Sequence, residues 1–311
     1  MEGLQSNPKK EKTNFLKKYL VKAETEEKDP YINSWSVQIE PNLGFKGLNL
    51  KEIYNFRDLI FLFVKRDFVV FYKQTVLGPL WYIIQPLIYS LVFTLVFGNI
   101  ASIPTDGVPP FIFYLAGNVL WGYFAVAFTG TSKIFVTNAQ IFGKVYFPRI
   151  TVPISVCISS LIQFFVQFLI FLGFLFYFKS GNSDIAIDLT YLVLVPLVII
   201  QIATLSIGVG CFISSITAKY KDLVLAFNLL VQLWMYLSPV VYPLSEVPEK
   251  YKIFMLLNPM TMPLEVFKHA FLGVGEVSTF GILLSLSATI FMFILGILIF
   301  NRTEKTFMDT V

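Results

Sequence analysis

The sequence has very few residues suited to metal, thiol or acid–base chemistry, with one histidine and two cysteines in 311 residues. Cys157 and Cys211 fall inside apolar stretches, where cysteine behaves as a small buried apolar residue. His269 has no histidine or cysteine near it, and we interpret it as a polar residue of a membrane interface. No disulfide framework and no metal site are therefore predicted.

Charge is absent from six windows of 23 to 32 residues that contain no Asp, Glu, Lys, Arg or His. About 20 apolar residues are enough for a helix to span a bilayer. The windows are continuously apolar rather than alternating, which excludes a β-barrel and favours helices. The sequence thus predicts an all-α polytopic membrane protein with six transmembrane helices, at 74–105, 107–132, 150–178, 189–218, 223–245 and 277–301.

The sequence lacks the residues expected for ion-coupled transport and for ATP binding. No ionisable residue lies in the interior of a predicted span, which disfavours proton- or sodium-coupled transport. The phosphate-binding sequence G-x-x-x-x-G-K-S/T is also absent, because Asn138 and Val145 stand at required positions around Gly143 and Lys144. This chain is not expected to bind ATP by that route.

Basic residues are concentrated on one side of the predicted membrane. Of the 24 Lys and Arg residues, 13 precede Gln74 and only four lie in the first, third and fifth joints between spans. The positive-inside rule therefore predicts that both termini are cytoplasmic. The net charge of +4 reflects this topology, and no nucleic-acid partner is expected.

The segments outside the spans have distinct compositions. Residues 1–49 form a polar cytoplasmic tail, and 50–73 are predicted to be an amphipathic helix on the cytoplasmic interface. Its apolar face is formed by Ile53, Tyr54, Ile60, Phe61, Val64 and Phe68. A six-span domain follows over 74–301, with a basic cytoplasmic joint at 133–149, and the cytoplasmic C-terminal tail covers 302–311.

The fifth joint is too long and too regular for a simple turn. Asn258-Pro259 fits an N-cap followed by proline at the first helical position. After it, Leu264, Phe267 and Phe271 align apart from Glu265, Lys268 and His269. We therefore predict two short amphipathic helices within 247–272 that dip into the outer interface; the alternative is a loose external loop.

Aromatic residues are abundant, with 33 Phe, 15 Tyr and 4 Trp. Tyr and Trp rings carry a flat apolar face beside a polar edge, so they can stack on sugar rings as a glycan slides past. Their ordinary role is to anchor helices at the interface, and that alternative stays open for each residue. The candidate channel aromatics are Trp81, Tyr82, Tyr89, Tyr114, Trp121, Tyr123, Trp234 and Tyr236.

With these segments, the chain resembles the transmembrane permease of ABC-2 exporters for polysaccharides, the family that exports O-antigen, capsule and teichoic acid chains. The matching stretches follow one another in order from about residue 39 to residue 273. They are 48–59, FVKRD at 63–67, YKQTVLG at 72–78, LW at 80–81, KVYFPR at 144–149, LSPVVYP at 237–243 and LNPMT at 257–261.

The resemblance implies a homodimer in the cell inner membrane, surrounded by membrane lipids and bound to two copies of a cytoplasmic ABC ATPase. ATP and Mg would be bound by that partner, so this chain would be a permease without its own catalytic site or cofactor. The cargo would be a lipid-linked polysaccharide, O-antigen first, with teichoic acid or capsular polysaccharide as the alternative. Spans one and five would border the channel and its lateral opening.

The resemblance also implies roles for individual residues. Segment 133–149 would be the coupling segment and 247–272 would be re-entrant outer gate helices. ATPase coupling would involve Arg66, Asp67, Lys144, Tyr146 and Arg149, and the outer gate would involve Pro239, Pro243, Asn258, Pro259 and Phe267.

Two other functions are compatible with a membrane helix bundle. A membrane-embedded transferase acting on lipid-linked sugars would need clustered carboxylates, whereas Asp106, Asp184 and Asp188 lie in separate joints or without a convincing pairing. An exporter of drugs or lipids from the same superfamily would share the helices but not the YKQTVLG and NPMT stretches.

Overall fold

The computed structural model describes residues 50–73, 77–142, 144–145, 147–181 and 185–307. All regular secondary structure in that part of the chain is helical, which confirms the all-α class. The tail predicted over 1–49 lies outside the described residues, as do residues 308–311 of the C-terminal tail.

The described chain contains thirteen α-helices. The third is continued by a π-helical stretch, Thr94–Ile100, and a 3₁₀ turn covers Leu244–Glu246. In chain order they are α1 (Leu50–Asn55), α2 (Arg57–Lys73), α3 (Leu80–Phe93), α4 (Pro110–Ser132), α5 (Ile134–Thr137), α6 (Ala139–Phe142), α7 (Thr151–Ser180), α8 (Leu189–Leu192), α9 (Val195–Thr217), α10 (Leu223–Tyr236), α11 (Glu249–Leu257), α12 (Thr261–Leu272) and α13 (Thr279–Phe307).

Five helices within the described residues are long and apolar enough to cross a membrane: α3 with its π-helical continuation, α4, α7, α9 and α13. The fifth predicted window instead forms α10, a helix of 14 residues. At about 1.5 Å per residue such a helix is shorter than the roughly 30 Å hydrocarbon core. It stops early because the turn that begins at Leu237 leads into Pro239, which cannot continue a helix. The six-span topology stays a prediction.

Helix α4 forms the centre of the bundle. It packs against α3, α7 and α9, so that side chains around its whole circumference are buried. Its fully enclosed residues include Ile112, Phe113, Tyr114, Leu115, Phe124 and Ala127. A helix that is apolar on all sides is stable only when neighbours cover every face, and three adjacent helices provide that cover.

Helices α9 and α13 cross with their backbones in close contact. A Cβ atom added to Gly296 would collide with the carbonyl oxygen of Gly208. Small residues at a crossing allow this approach, which increases van der Waals contact between membrane helices where the hydrophobic effect adds little.

The predicted interface helix over 50–73 is two helices, α1 and α2, separated at Phe56. Helix α2 packs on α7, and Ile60 and Phe63 are buried among those of its side chains that the structure describes. Tyr54 and Phe61, which were predicted to share the apolar face, are exposed instead. The protein-facing stripe is therefore narrower than the sequence pattern, which counts apolar residues without knowing which of them have a neighbour.

Candidate functional site

The turn between α11 and α12 is organised by the side chain of Asn258. Its Oδ1 accepts hydrogen bonds from the Trp234 Nε1 and the Met260 amide, at 3.1 and 3.0 Å. Its Nδ2 donates to the Leu237 carbonyl and the Ser238 hydroxyl, at 3.0 and 2.8 Å. One amide thereby joins the end of α10 to the start of α12.

The predicted N-cap at Asn258 with proline at the first helical position is wrong in register. Helix α12 begins at Thr261, and Asn258 is the C-cap residue that follows the end of α11 at Leu257. The Asn258 side chain does accept the amide two residues ahead, which is the bond of an Asx turn. Its other side-chain bonds go to Trp234 of α10 and to Leu237 and Ser238 directly after that helix, so the residue links two elements instead of capping one.

Helix α12 does not have the exposed charged face that the sequence pattern predicts. Glu265 is 0% exposed and Lys268 is 1% exposed. The Lys268 Nζ donates to the Pro239 carbonyl, lies 3.9 Å from the centre of the Phe113 ring and 3.7 Å from the Glu265 Oε1. The expectation is wrong because the break after α10 and the bundle core cover that face of the helix.

The carboxylate of Glu265 holds the segment that follows α12. Its Oε2 accepts the backbone N–H of Glu276 at 2.9 Å, and Gly275 packs directly over the side chain. Burial raises the pKa of Glu265, while the Lys268 ammonium lowers it. Burial also lowers the pKa of Lys268 to about 8, an effect that the Glu265 carboxylate opposes. The ion pair therefore depends on each partner stabilising the charge of the other.

The polar rim of α12 makes further contacts. His269 lies between Asp188 and the Gly275 carbonyl. The His269 Nε2 is 3.8 Å from the Asp188 Oδ2, and the His269 Nδ1 is 3.2 Å from the Gly275 oxygen. The Thr190 amide lowers the pKa of Asp188, and His269 contributes in the same direction. His269 is thus half-buried in a contact network rather than free at an interface.

The residues predicted for the outer gate cluster around α12. The Pro239 carbonyl accepts from Lys268, and the Pro259 carbonyl accepts from the Ser285 hydroxyl at 2.7 Å. Phe267 is fully buried and packs against Phe171, with ring centres 5.5 Å apart. Pro243 is buried and precedes the 3₁₀ turn.

The candidate channel aromatics fall into two groups. Tyr82, Tyr114, Trp121 and Tyr123 are buried inside the bundle, whereas Trp81, Tyr89 and Tyr236 are 43%, 51% and 47% exposed. Trp234 is half-buried and belongs to neither group. Its ring centre lies 6.3 Å from that of Trp121, and its Nε1 donates a hydrogen bond to Asn258. The structure of the single chain therefore places four of these aromatics in its core.

The predicted coupling residues also have different surroundings. Arg66 pairs with Asp67 at 2.8 Å, and its guanidinium lies over Phe63. Arg149 is buried: its Nη1 donates to the Glu304 carbonyl at 2.7 Å, and its Nε lies 3.5 Å from the Glu304 carboxylate. Burial lowers the pKa of Arg149, and Glu304 opposes that effect.

The other two coupling candidates differ from Arg149. Lys144 is exposed, and Tyr146 lies outside the described residues. Arg149 thus holds α13 against the start of α7, while the side chain of Lys144 is open to a partner.

Two contacts were not predicted from the sequence: the buried Glu265–Lys268 pair, and a polar bridge between α9 and α13 in which Gln201 donates to Ser285 at 2.7 Å. A glutamine inside an apolar span was a usable signal for the bridge, because an amide in lipid needs a partner. Among the described residues, no group of three or more His, Cys, Asp or Glu side chains could hold a metal ion.

A family model described as ABC-2 type transporter matches residues 58–272 of this chain, from the start of α2 to the end of α12. The chain belongs to the ABC-2 type transporter family. The matched region contains α2, the central bundle and the Asn258 turn, which confirms the resemblance inferred from the sequence.

This ABC-2 chain is similar in sequence to several polysaccharide export proteins. It is 26% identical over 265 residues to an O-antigen export system permease protein RfbA of Klebsiella pneumoniae, covering 84% of this chain and 99% of that protein. An O-antigen export system permease protein RfbA of Myxococcus xanthus is also 26% identical, and the match covers 68% of this chain and 79% of that protein. The capsule polysaccharide export inner-membrane protein CtrC of Neisseria meningitidis serogroup A is 20% identical, and the match covers 67% of this chain and 77% of that protein.

Proposed function

We propose that this chain is the membrane permease of an ATP-driven exporter that moves a lipid-linked polysaccharide, of the O-antigen class, from the cytoplasm across the inner membrane. The observation that carries the proposal is the match to O-antigen export permeases along 99% of their length. Export of capsular polysaccharide is the second candidate, favoured by the similarity to CtrC.

In this proposal the chain crosses the membrane six times and both termini are cytoplasmic. Helix α10 would be the fifth crossing, shortened because α11 and α12 re-enter the outer side and complete the path. Three contacts support a re-entrant arrangement: the Asn258 bonds to α10, the Lys268 bond to Pro239, and the Pro259 bond to Ser285 of α13. Backbone that is neither spanning nor free at the surface must be supported by protein contacts of this kind.

The cargo path would run along surfaces that a single chain leaves uncovered. Trp81, Gln85 and Tyr89 follow one another at four-residue spacing, so they share one exposed face of α3. Tyr236 is exposed at the end of α10. A second copy of the chain facing these helices would enclose an aromatic-lined conduit, with the buried aromatics Tyr114 and Tyr123 as its packing support.

ATP-driven movement would enter through the cytoplasmic elements. Two copies of an ABC ATPase, holding ATP and Mg, would contact α2 and segment 133–149, where Lys144 is exposed. Helix α2 packs on α7, and Arg149 ties the start of α7 to α13. A push on this surface would therefore move several spans together, as in rigid-body switching.

A transferase mechanism has less support. Asp106 accepts a hydrogen bond from Ser245 at 2.8 Å, and Asp188 accepts the Thr190 amide at 2.8 Å. These two carboxylates serve local contacts that fix loops, and Asp184 lies outside the described residues. Export should therefore continue when Asp106 and Asp188 are both replaced by Asn.

The test is to purify the C-terminally tagged chain from native membranes in mild detergent and to identify co-purifying proteins with their ratio. The proposal requires a Walker-motif ATPase at one copy per permease. Lys144→Glu should weaken that association, whereas Lys179→Glu, a reversal in the third joint on the predicted outer side, should not. Purification without any ATPase would contradict the proposal.

A further inference from the structure

A cavity lined by both polar and apolar side chains lies between α2, α3, α4 and α7, away from the contacts around α12. Its volume is about 320 Å³. Its lining comprises Asp67, Phe68, Tyr82, Gln85, Val126, Ser159, Ser160 and Gln163. Asp67 belongs to the cytoplasmic helix α2, Gln85 lies in the second turn of α3, and Val126 lies near the end of α4. In the proposed orientation the cavity therefore opens in the cytoplasmic half of the membrane.

Several of these polar groups have no protein partner. The Ser159 hydroxyl is buried without a hydrogen-bond partner in the described chain. The structure shows no hydrogen bond from the amides of Gln85 or Gln163 to any of the residues it describes. Of the three side chains only the Ser159 hydroxyl is fully buried, since Gln85 is exposed and Gln163 is half-buried. A buried polar group is nearly always satisfied, and an unpaired polar side chain within a membrane span is costly. Three unused groups around one cavity therefore indicate a ligand.

The groups around the cavity define the chemistry of that ligand. Two amides, a serine hydroxyl and a carboxylate offer both donors and acceptors, which suits the hydroxyl groups of a sugar. None of the described residues that line the cavity is basic, although phosphate sites depend on Arg or Lys. Arg66 lies beside the cavity but is paired with Asp67 at 2.8 Å.

The size of the cavity limits the ligand to a small group. Sites for small molecules usually measure about 300 to 1,000 Å³, and this one lies at the lower end. It can enclose one sugar ring, whereas a chain of sugars would have to continue outside it.

We propose that this cavity binds one sugar residue of the transported glycan on the cytoplasmic side, through the amides of Gln85 and Gln163 and the hydroxyl of Ser159. This inference rests on the proposed function, and it adds a recognition site within the permease itself. The cavity would select the sugar before the chain moves along the exposed face of α3, on which Gln85 lies between Trp81 and Tyr89.

The first test is photo-crosslinking in the complete exporter in native membranes, with a partner ATPase that cannot hydrolyse ATP. A benzophenone amino acid replaces Val126 in the cavity or, as a matched control, Val193, an exposed valine between α8 and α9. After irradiation, mass spectrometry should find carbohydrate attached at position 126 and not at position 193. Phospholipid alone at position 126, or carbohydrate yields equal at both positions, would overturn the proposal.

The second test removes the amides without changing charge. Gln163→Leu and Gln85→Leu should each lower carbohydrate crosslinking at position 126 by roughly two- to tenfold, the range for loss of one hydrogen bond. Gln163→Asn, which keeps an amide, should retain more of the yield than Gln163→Leu. The control is Thr204→Val, which removes an exposed hydroxyl of α9 that binds only the Ile200 carbonyl.

Unchanged yields in both glutamine variants would overturn the site. A failure of the site is distinguishable from a failure of the proposed function. If deleting the chain abolishes surface polysaccharide while position 126 captures only lipid, the permease function stands and the sugar site does not. If deletion leaves surface polysaccharide unchanged, the function itself is wrong.

Discussion

Replacing Lys268 by methionine should destabilise the protein strongly, although methionine has a similar length and is apolar. Lys268 is 1% exposed, and its loss leaves the Glu265 carboxylate buried without its cation and the Pro239 carbonyl without its donor. Removing one partner of a buried ion pair costs about 3–5 kcal/mol. The apparent unfolding temperature should therefore fall by on the order of 10 °C.

The double variant Glu265→Gln/Lys268→Met separates the ion pair from simple packing. The glutamine introduced at position 265 would be neutral and could still accept the Glu276 amide, so no unpaired charge stays buried. The Pro239 carbonyl and the new amide N–H groups would lack partners, at a cost of about 1–3 kcal/mol each. The double variant should accordingly be more stable than Lys268→Met alone. The two changes are expected to be non-additive because the residues are in contact.

The pH dependence of the single variant gives an independent check. Burial raises the pKa of Glu265 above its ordinary value of 4.5, and Lys268 is the group that lowers it. Without Lys268 the folded pKa rises further, so the folded state binds a proton more tightly than the unfolded state. The stability that protonated Glu265 contributes is therefore fully present below about pH 4.5 and is lost as the pH rises through the raised pKa of the folded state. Lys268→Met should therefore recover relative to wild type on acidification.

The assay is the loss of monodisperse protein after heating in detergent, followed by size-exclusion chromatography of a fluorescent fusion at about pH 5.5 and about pH 8. A Lys268→Met protein as stable as wild type at the higher pH would show that the buried ion pair does not stabilise the fold. So would a double variant that is less stable than the single one, or a single variant whose deficit grows on acidification.

Three further predictions concern stability; the Asn258 and Arg149 variants use the same heating assay, and the Gly296 variant is assessed by the amount of protein in the membrane. Asn258→Leu should lower stability by about 2–3 kcal/mol and slow export, because it leaves the Trp234 N–H and neighbouring groups without partners. Gly296→Ala should prevent normal accumulation of the protein, since the new methyl group collides with the Gly208 carbonyl. Arg149→Met should cost about 1–3 kcal/mol, because it removes the charged donor that contacts the Glu304 carbonyl and carboxylate.

Each of these changes has a matched control elsewhere in the chain. Asn228→Leu removes an amide whose Oδ1 has no partner among the described residues, so it should be neutral or stabilising. Gly173→Ala adds a methyl group to open space and should gain about 0.5–1 kcal/mol of helix preference. Lys144→Met changes an exposed cation and should leave stability unchanged. If a control lowers stability as much as its paired variant does, the contact removed in that variant is not the cause of the loss.

The main features of the fold could be predicted because they depend on the local sequence. Charge-free windows locate the long helices, since the cost of charge in lipid applies to any such segment whatever its neighbours. Polar side chains in the fifth joint could not be placed in the same way. A helical pattern assigns Glu265 and Lys268 to solvent, whereas the break after α10 and residues 273–278 cover them in the structure.

The site was harder to predict than the fold for a related reason. The bonds of Asn258 reach back to residues 234, 237 and 238, a separation along the chain that propensity and capping rules do not address. The aromatics were chosen by residue type, which cannot distinguish the exposed Tyr89 from the fully buried Tyr114. Sequence spacing likewise gave no indication that Gln85 of α3 and Gln163 of α7 line one cavity.

The most direct measurement of the central claim is the fate of the glycan in cells from which this chain is deleted. Surface polysaccharide and lipid-linked polysaccharide inside the cell should be quantified together, with and without a plasmid-borne copy. Export by this permease predicts that the surface glycan disappears, that lipid-linked glycan accumulates on the cytoplasmic side, and that the plasmid reverses both. Unchanged surface glycan, or its loss without internal accumulation, would contradict the claim.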